Sequence, residues 1–129
     1  MISRIKKFWI LFINKFVPDR HILPFFRIAE IIIYPYTNAT QSGSLNFALN
    51  AEKPIIATRV GGFKEILRDQ VNGLLIPPND AYELANAIKK LIENQDLAEK
   101  IASNGNEFYK KTFSWDIILK KMLNALDTQ

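Results

Sequence analysis

Apolar residues along this chain first come in short unbroken runs and then, past Pro78, at helical spacing. Ala29 to Tyr36 reads AEIIIYPY, a run of strand formers that Pro35 ends by removing a ladder donor. Pro54-Ile-Ile-Ala-Thr58 and Leu74-Leu-Ile76 are two further short runs, the second stopped by Pro77-Pro78. Runs without polar alternation suit strands of a parallel sheet that is covered on both faces. Between them, Leu45, Phe47, Ala48, Leu49 and Ala51 predict a short apolar helix. Phe63 to Leu67 predict a smaller one after the Gly61-Gly62 break, and Asn72-Gly73 marks a turn. Beyond Pro78, Asp80 with Glu83 opens a helix in the manner of a capping box, with Leu84, Ala85, Ile88, Leu91 and Ile92 as its apolar positions. Asp96 with Glu99 opens the next, with Ile101, Ala102 and Phe108 as core candidates. Ser114 caps a last helix, whose apolar face runs through Trp115, Ile118, Leu119, Met122 and Leu126.

The first residues read differently. Ile5 to Val17, IKKFWILFINKFV, holds an unbroken apolar run of only six residues, Phe8 to Ile13. A bilayer-spanning helix needs about 20. A secretory signal needs a longer apolar region and a small-residue cleavage site. As a helix the stretch gives no clean polar face, so a buried strand behind a basic lead-in is the simpler reading, with an interfacial helix as the alternative.

At 129 residues, with 48% apolar and 23% charged types, the chain is one domain's worth of globular protein. It has no Cys and one His, which excludes disulfides, thiol catalysis, thiolate metal sites and His-rich metal centres. The net charge is +4, from 17 Lys and Arg against 13 Asp and Glu. The excess lies at the front: Arg4, Lys6, Lys7, Lys15, Arg20 and Arg27 precede residue 28, against Asp19 alone. The remainder is electrically balanced, with no basic stripe of the kind a nucleic-acid face requires.

Strand–loop–helix units repeated at this scale predict an α/β, Rossmann-like three-layer domain with a mostly parallel sheet and C-terminal helices. Ligands of such sheets bind beyond the carboxyl ends of the strands. That selects the loop from Tyr36 to Ser44 and the loop from Thr58 to Gly62. A helix starting near Gly43 leaves amides at its head, Gly43 permits close backbone approach, and Ser42 and Ser44 supply hydroxyls, which together suit a diphosphate. Plain helix capping by either serine is the alternative use. Neither GxGxxG nor GxxxxGK[ST] occurs, so a nicotinamide, flavin or P-loop reading has no motif behind it.

Taken in order, Asn14-Lys-Phe-Val-Pro-Asp19, Ala29-Glu-Ile-Ile-Ile-Tyr-Pro35, Ala39-Thr-Gln-Ser-Gly43, Lys53-Pro-Ile-Ile-Ala-Thr58, Gly61-Gly-Phe-Lys-Glu65 and Asn72-Gly-Leu-Leu-Ile-Pro77 carry more than any one of them. The set resembles the C-terminal part of the group 1 retaining glycosyltransferases, which have the two-domain GT-B architecture. The likeness runs from about residue 10 to 120 and includes the Phe113-Ser-Trp115 helix start. It implies that residues 1–129 are a single unit, the C-terminal portion of the nucleotide-sugar-binding domain. It also implies a donor site for a nucleotide-diphosphate sugar. By position, the amides of Gly43, Ser44 and Leu45 would face the diphosphate, with the loop from Tyr36 to Gln41 near the sugar and Gly61 and Gly62 shaping the pocket. The reaction would be transfer of a hexose with retention, without a metal or other cofactor.

Two departures from the family accompany the likeness. Its paired carboxylates at the sugar and the ribose fall here on Ala39 and Phe47, which accept no hydroxyl hydrogen bonds. Its acceptor domain, and the first half of the donor domain with a basic pair at the diphosphate, lie outside this sequence; a whole enzyme needs roughly 350 residues. The chain is therefore expected to be inactive alone, and no catalytic residue is assigned. Completion by a separately encoded N-terminal half, self-association, and a cytoplasmic place at the inner face of a membrane follow as expectations. The other reading is a binding or structural module that keeps the fold without catalysis. Arg59, Lys64 and His21 read as surface residues, Glu65 as a brace for helix-start amides, and Trp9 and Trp115 as core.

Overall fold

A computed structural model describes residues 15–38 and 42–128. The expected N-terminal strand, Ala39 and Gln41 lie outside the described residues. The elements run α1 (Asp19–Ile28), β1 (Ile32–Tyr34), α2 (Ser44–Asn50), β2 (Ile55–Thr58), α3 (Phe63–Ile66), β3 (Leu74–Ile76), α4 (Ala81–Glu93), α5 (Gln95–Thr112) and α6 (Trp115–Asp127).

The three strands pair in the order β1-β2-β3, both pairings parallel, with Ile32 against Ile55 and Ile56 against Leu74. This is the α/β architecture the apolar runs predict. Side chains of β2 alternate across the sheet: Ile55 and Ala57 join Leu45, Leu49, Phe63 and Leu67 on one face. Ile56 joins Leu74, Ile76, Leu91 and Ile101 on the other. Strand period two thus feeds two cores, and every residue of β2 is buried. α2 and α3 cover the first face, and α4 with the first half of α5 covers the second. The far half of α5 crosses to α2, where Gly105 lets the helices approach: a Cβ there would lie 3.1 Å from Leu49 Cδ2.

Helix starts follow the sequence at one place and depart from it at two. Asp80 accepts from the Glu83 amide at 3.0 Å, the predicted cap of α4. α5 starts earlier than Asp96 and Glu99 suggest, because Asn94 caps it by accepting from the Leu97 amide at 3.1 Å. Ser114 stands before α6 but does not cap it; its hydroxyl donates back to the Lys110 carbonyl at 2.8 Å. α1 carries Pro24 inside it and so forgoes one backbone bond.

Two apolar faces differ from expectation. On α4 the fully buried positions are Ala87 and Leu91, whereas Ala85 and Ile92 are exposed. α6 buries none of its residues, and Trp115, expected in the core, is 74% exposed. The helix is amphipathic in sequence, but beyond the half-buried Ile118 near its start the apolar side stays exposed among the described residues.

Candidate functional site

The carboxyl ends of β1 and β2 bring the two selected loops together. Tyr34 ends β1 with its side chain buried toward α2, and its ring packs on Phe63 at 5.3 Å and on Tyr36 at 6.0 Å. Tyr36 also packs on Phe63, at 5.6 Å, yet remains 42% exposed, so one side meets the aromatic cluster and the rest is open to solvent. Thr58, at the end of β2, donates its hydroxyl to the Tyr36 carbonyl at 2.6 Å. That bond ties the first loop to the second strand.

At the head of α2 the serine hydroxyls do not cap. Ser44 Oγ donates to the Tyr34 hydroxyl at 3.2 Å, and Ser42 Oγ lies 3.1 Å from Ser44 Oγ. Burial pushes the Tyr34 phenol up to about 12, against a smaller lowering by the Ser44 bond. Gly43 is exposed, with helical dihedrals (φ −62°, ψ −28°), and a Cβ built there meets nothing within 4 Å. Its value is therefore open space in front of the backbone and not an unusual conformation. The Leu45 amide donates to the Ser42 carbonyl at 3.2 Å, and its side chain is buried. Gly61 is the glycine that the backbone itself requires, at φ 46°. Gly62 heads α3 in a helical conformation.

Ser42, Gly43 and Gly62 line a cleft of about 220 Å³, joined by Asn46, Glu65 and Phe113. The structure thus brings four predicted residues, Ser42, Gly43, Leu45 and Gly62, to one opening, with Tyr36 and Gly61 on the adjoining loops. Gln41 lies outside the described residues. Asn46 and Phe113 escaped the sequence reading. Phe113 arrives from the α5–α6 corner, far along the chain; its Phe-Ser-Trp context pointed to a helix start and not to a ligand.

The electrostatics of the cleft are unhelpful to an anion. Among the described residues Glu65 is the one charged residue lining it, and no bond joins that carboxylate to the helix-start amides it was expected to brace. Arg59 turns to Asp69 at 3.9 Å, and Lys64 is exposed on α3. A larger cleft of about 360 Å³ opens at the opposite, amino ends of the strands beside Glu30, Glu52, Lys53 and Glu99. Open α/β sheets bind at carboxyl ends, so the smaller cleft is the functional candidate. Among the described residues no His, Asp and Glu group is placed to hold a metal ion, and no helix is long and apolar enough to cross a membrane.

The family model for glycosyl transferases group 1 matches residues 10–108. The chain belongs to this family. An uncharacterised glycosyltransferase of Methanocaldococcus jannaschii is 50% identical over 64 residues, which is 50% of this chain and 18% of that protein. The crystal structure of Anabaena HepE in complex with UDP-glucose superimposes with a TM-score of 0.74 at 26% identity, covering 84% of this chain and 30% of that one. The crystallised C-terminal domain of a group 1 glycosyl transferase from Francisella tularensis, 24% identical, shares the fold with a TM-score of 0.72 over 80% of this chain and 53% of that one. This group 1 chain spans 18%, 24% and 26% of the lengths of three curated relatives it matches. Its three-strand parallel sheet with C-terminal helices is the GT-B Rossmann-like arrangement.

Proposed function

We propose that this chain is the C-terminal half of a nucleotide-sugar-binding domain and holds a nucleotide-diphosphate sugar at the cleft between Ser42, Gly43 and Gly62. The observation that carries the reading is positional. The family match spans both loops, and the cleft they form lies at the carboxyl ends of β1 and β2, on a fold shared with a UDP-glucose complex. The unit would orient a hexose donor for transfer with retention and share in stabilising the departing diphosphate. The charge needed for that step is not supplied by the cleft, whose charged residue is Glu65. In this reading, activity requires an acceptor domain and a basic pair beside this unit.

The surface that completes the cleft would belong to an N-terminal half or, failing that, to a second copy. The exposed apolar side of α6 and the outer edge of β1, unpaired among the described residues, support either. The basic, aromatic N-terminal arm supports a peripheral position on the anionic inner face of a membrane. One observation favours a second reading, a non-catalytic module. Phe47 stands where the family's ribose-binding carboxylate falls, and an aromatic ring cannot accept from ribose hydroxyls.

A two-dimensional amide NMR titration with UDP, GDP and an AMP control separates the two. Shifts confined to Gly43, Ser44, Gly61 and Gly62 with a diphosphate sustain the donor site. A dispersed spectrum that ignores both diphosphates rejects it in favour of the module.

A further inference from the structure

We propose that Tyr34 is a positioning residue for the donor diphosphate, the inner end of a chain of three hydroxyls whose direction reverses when the diphosphate binds. The inference rests on the donor-site reading above. Tyr34, Ser44 and Ser42 are strung from the sheet to the cleft by contacts of 3.2 and 3.1 Å. Each hydroxyl has one proton to give. Ser44 gives its proton to Tyr34, so it accepts from Ser42, and both serine protons point into the protein. Among the described residues nothing accepts the phenol proton of Tyr34. Burial keeps that phenol protonated across the neutral range.

A phosphate oxygen in the cleft changes the order. Ser42, which lines the cleft, turns its proton outward to the anion, Ser44 donates to Ser42, and Tyr34 donates to Ser44 in place of accepting from it. The idle phenol proton is then used, no proton enters or leaves, and no covalent bond changes. Tyr34 itself is 5% exposed and meets no ligand. Its ring, set against Phe63 and Tyr36, fixes where the phenol can reach.

The test is a calorimetric titration of the purified chain with UDP and with GDP, each compared with its own nucleoside. Tyr34→Phe is expected to weaken the diphosphate about fivefold, the worth of one neutral hydrogen bond, and to leave the nucleoside unchanged. Ser44→Ala should do the same, and the double variant should lose no more than either single one, because all act through one chain. Equal weakening of diphosphate and nucleoside, or additive losses, overturns the proposal. Should Tyr34→Phe lose its dispersed amide spectrum, Ser44→Ala reads the chain by itself, and an unchanged diphosphate affinity overturns it. A wild-type chain that binds a diphosphate no better than Tyr34→Phe does removes Tyr34 alone. A folded wild-type chain that binds neither diphosphate removes the donor site and this inference with it.

Discussion

Asn106 on α5 is tied to Leu49 near the end of α2: its side-chain amide donates to the Leu49 carbonyl at 3.3 Å and to the Asn50 carbonyl at 3.2 Å. Helix α2 is only seven residues long, and its last carbonyls have no partner within the helix. Asn106, itself buried, supplies one from an element more than fifty residues away. It thereby anchors the tail of the helix whose head borders the cleft. Asn106→Ala should lower stability by about 1 kcal/mol, since it removes the donor to the Asn50 carbonyl, while the Leu49 carbonyl keeps the Glu52 amide at 3.3 Å. Urea unfolding measures this, and a midpoint equal to that of wild type would contradict the anchoring role.

Gly61 and Gly43 look alike in sequence and should respond oppositely. Gly61→Ala forces a side chain into the left-handed region at φ 46° and is expected to cost about 1–2 kcal/mol. Gly43→Ala adds a Cβ that meets nothing within 4 Å at ordinary helical dihedrals, so thermal stability should hold within about 0.5 kcal/mol. In the donor-site reading the same change narrows the approach to the backbone and reduces UDP or GDP affinity. Unfolding curves and titrations on the two variants distinguish a turn glycine from a ligand-access glycine.

The buried Tyr34 phenol makes stability depend on alkaline pH. Its native value is raised from 10.0 to about 12, chiefly by burial, so the folded state holds the proton after the unfolded state has begun to lose it. This contribution is complete below pH 10 and is lost as pH rises through about 12. It amounts to something on the order of 2–3 kcal/mol. Unfolding free energies measured across that window should decline more steeply in wild type than in Tyr34→Phe. Parallel slopes would show that the phenol titrates normally.

Two leucines of similar sequence character should differ sharply. Leu91 on α4 is fully buried, and Leu91→Ala should cost about 2–5 kcal/mol. Leu123 on α6 is 59% exposed, and Leu123→Ser should change monomer stability by less than about 0.5 kcal/mol. If the α6 face serves association, the same variant shifts sedimentation toward monomer while the unfolding curve stays in place. A large loss of stability from Leu123→Ser would mean that the helix is covered.

Much of the site was legible because local rules decide it. Apolar runs ended by proline or a polar loop marked the strands, and the carboxyl-end rule then selected the Tyr36–Ser44 and Thr58–Gly62 loops without knowledge of their packing. Ser42, Gly43 and Gly62 do meet at one cleft. Phe113 and Asn46 were not legible as its walls, since nothing in a linear pattern says that the α5–α6 corner returns to the head of α2. The Ser44–Tyr34 bond was hidden for the same reason, its partners being ten residues apart on different elements. On α4, Leu91 fitted the apolar stripe but Ala87 did not, because a small residue shows little in a hydrophobic pattern yet fits where a helix lies close on a sheet.

The sequence by itself determined the periods, the order of the motifs and hence the family: strand runs, a capping aspartate at Asp80 and two glycine-bearing loops are properties of neighbouring residues. Only the tertiary structure decided which apolar faces are used. Trp115, Leu119, Met122 and Leu126 form as regular a stripe as any in the core, yet they stay exposed because burial needs a second surface, and none of the described elements provides one. Ile56 and Leu91 are buried because β2 and α4 meet there. Periodicity fixes the face an element offers, and packing against distant partners fixes whether that face leaves water.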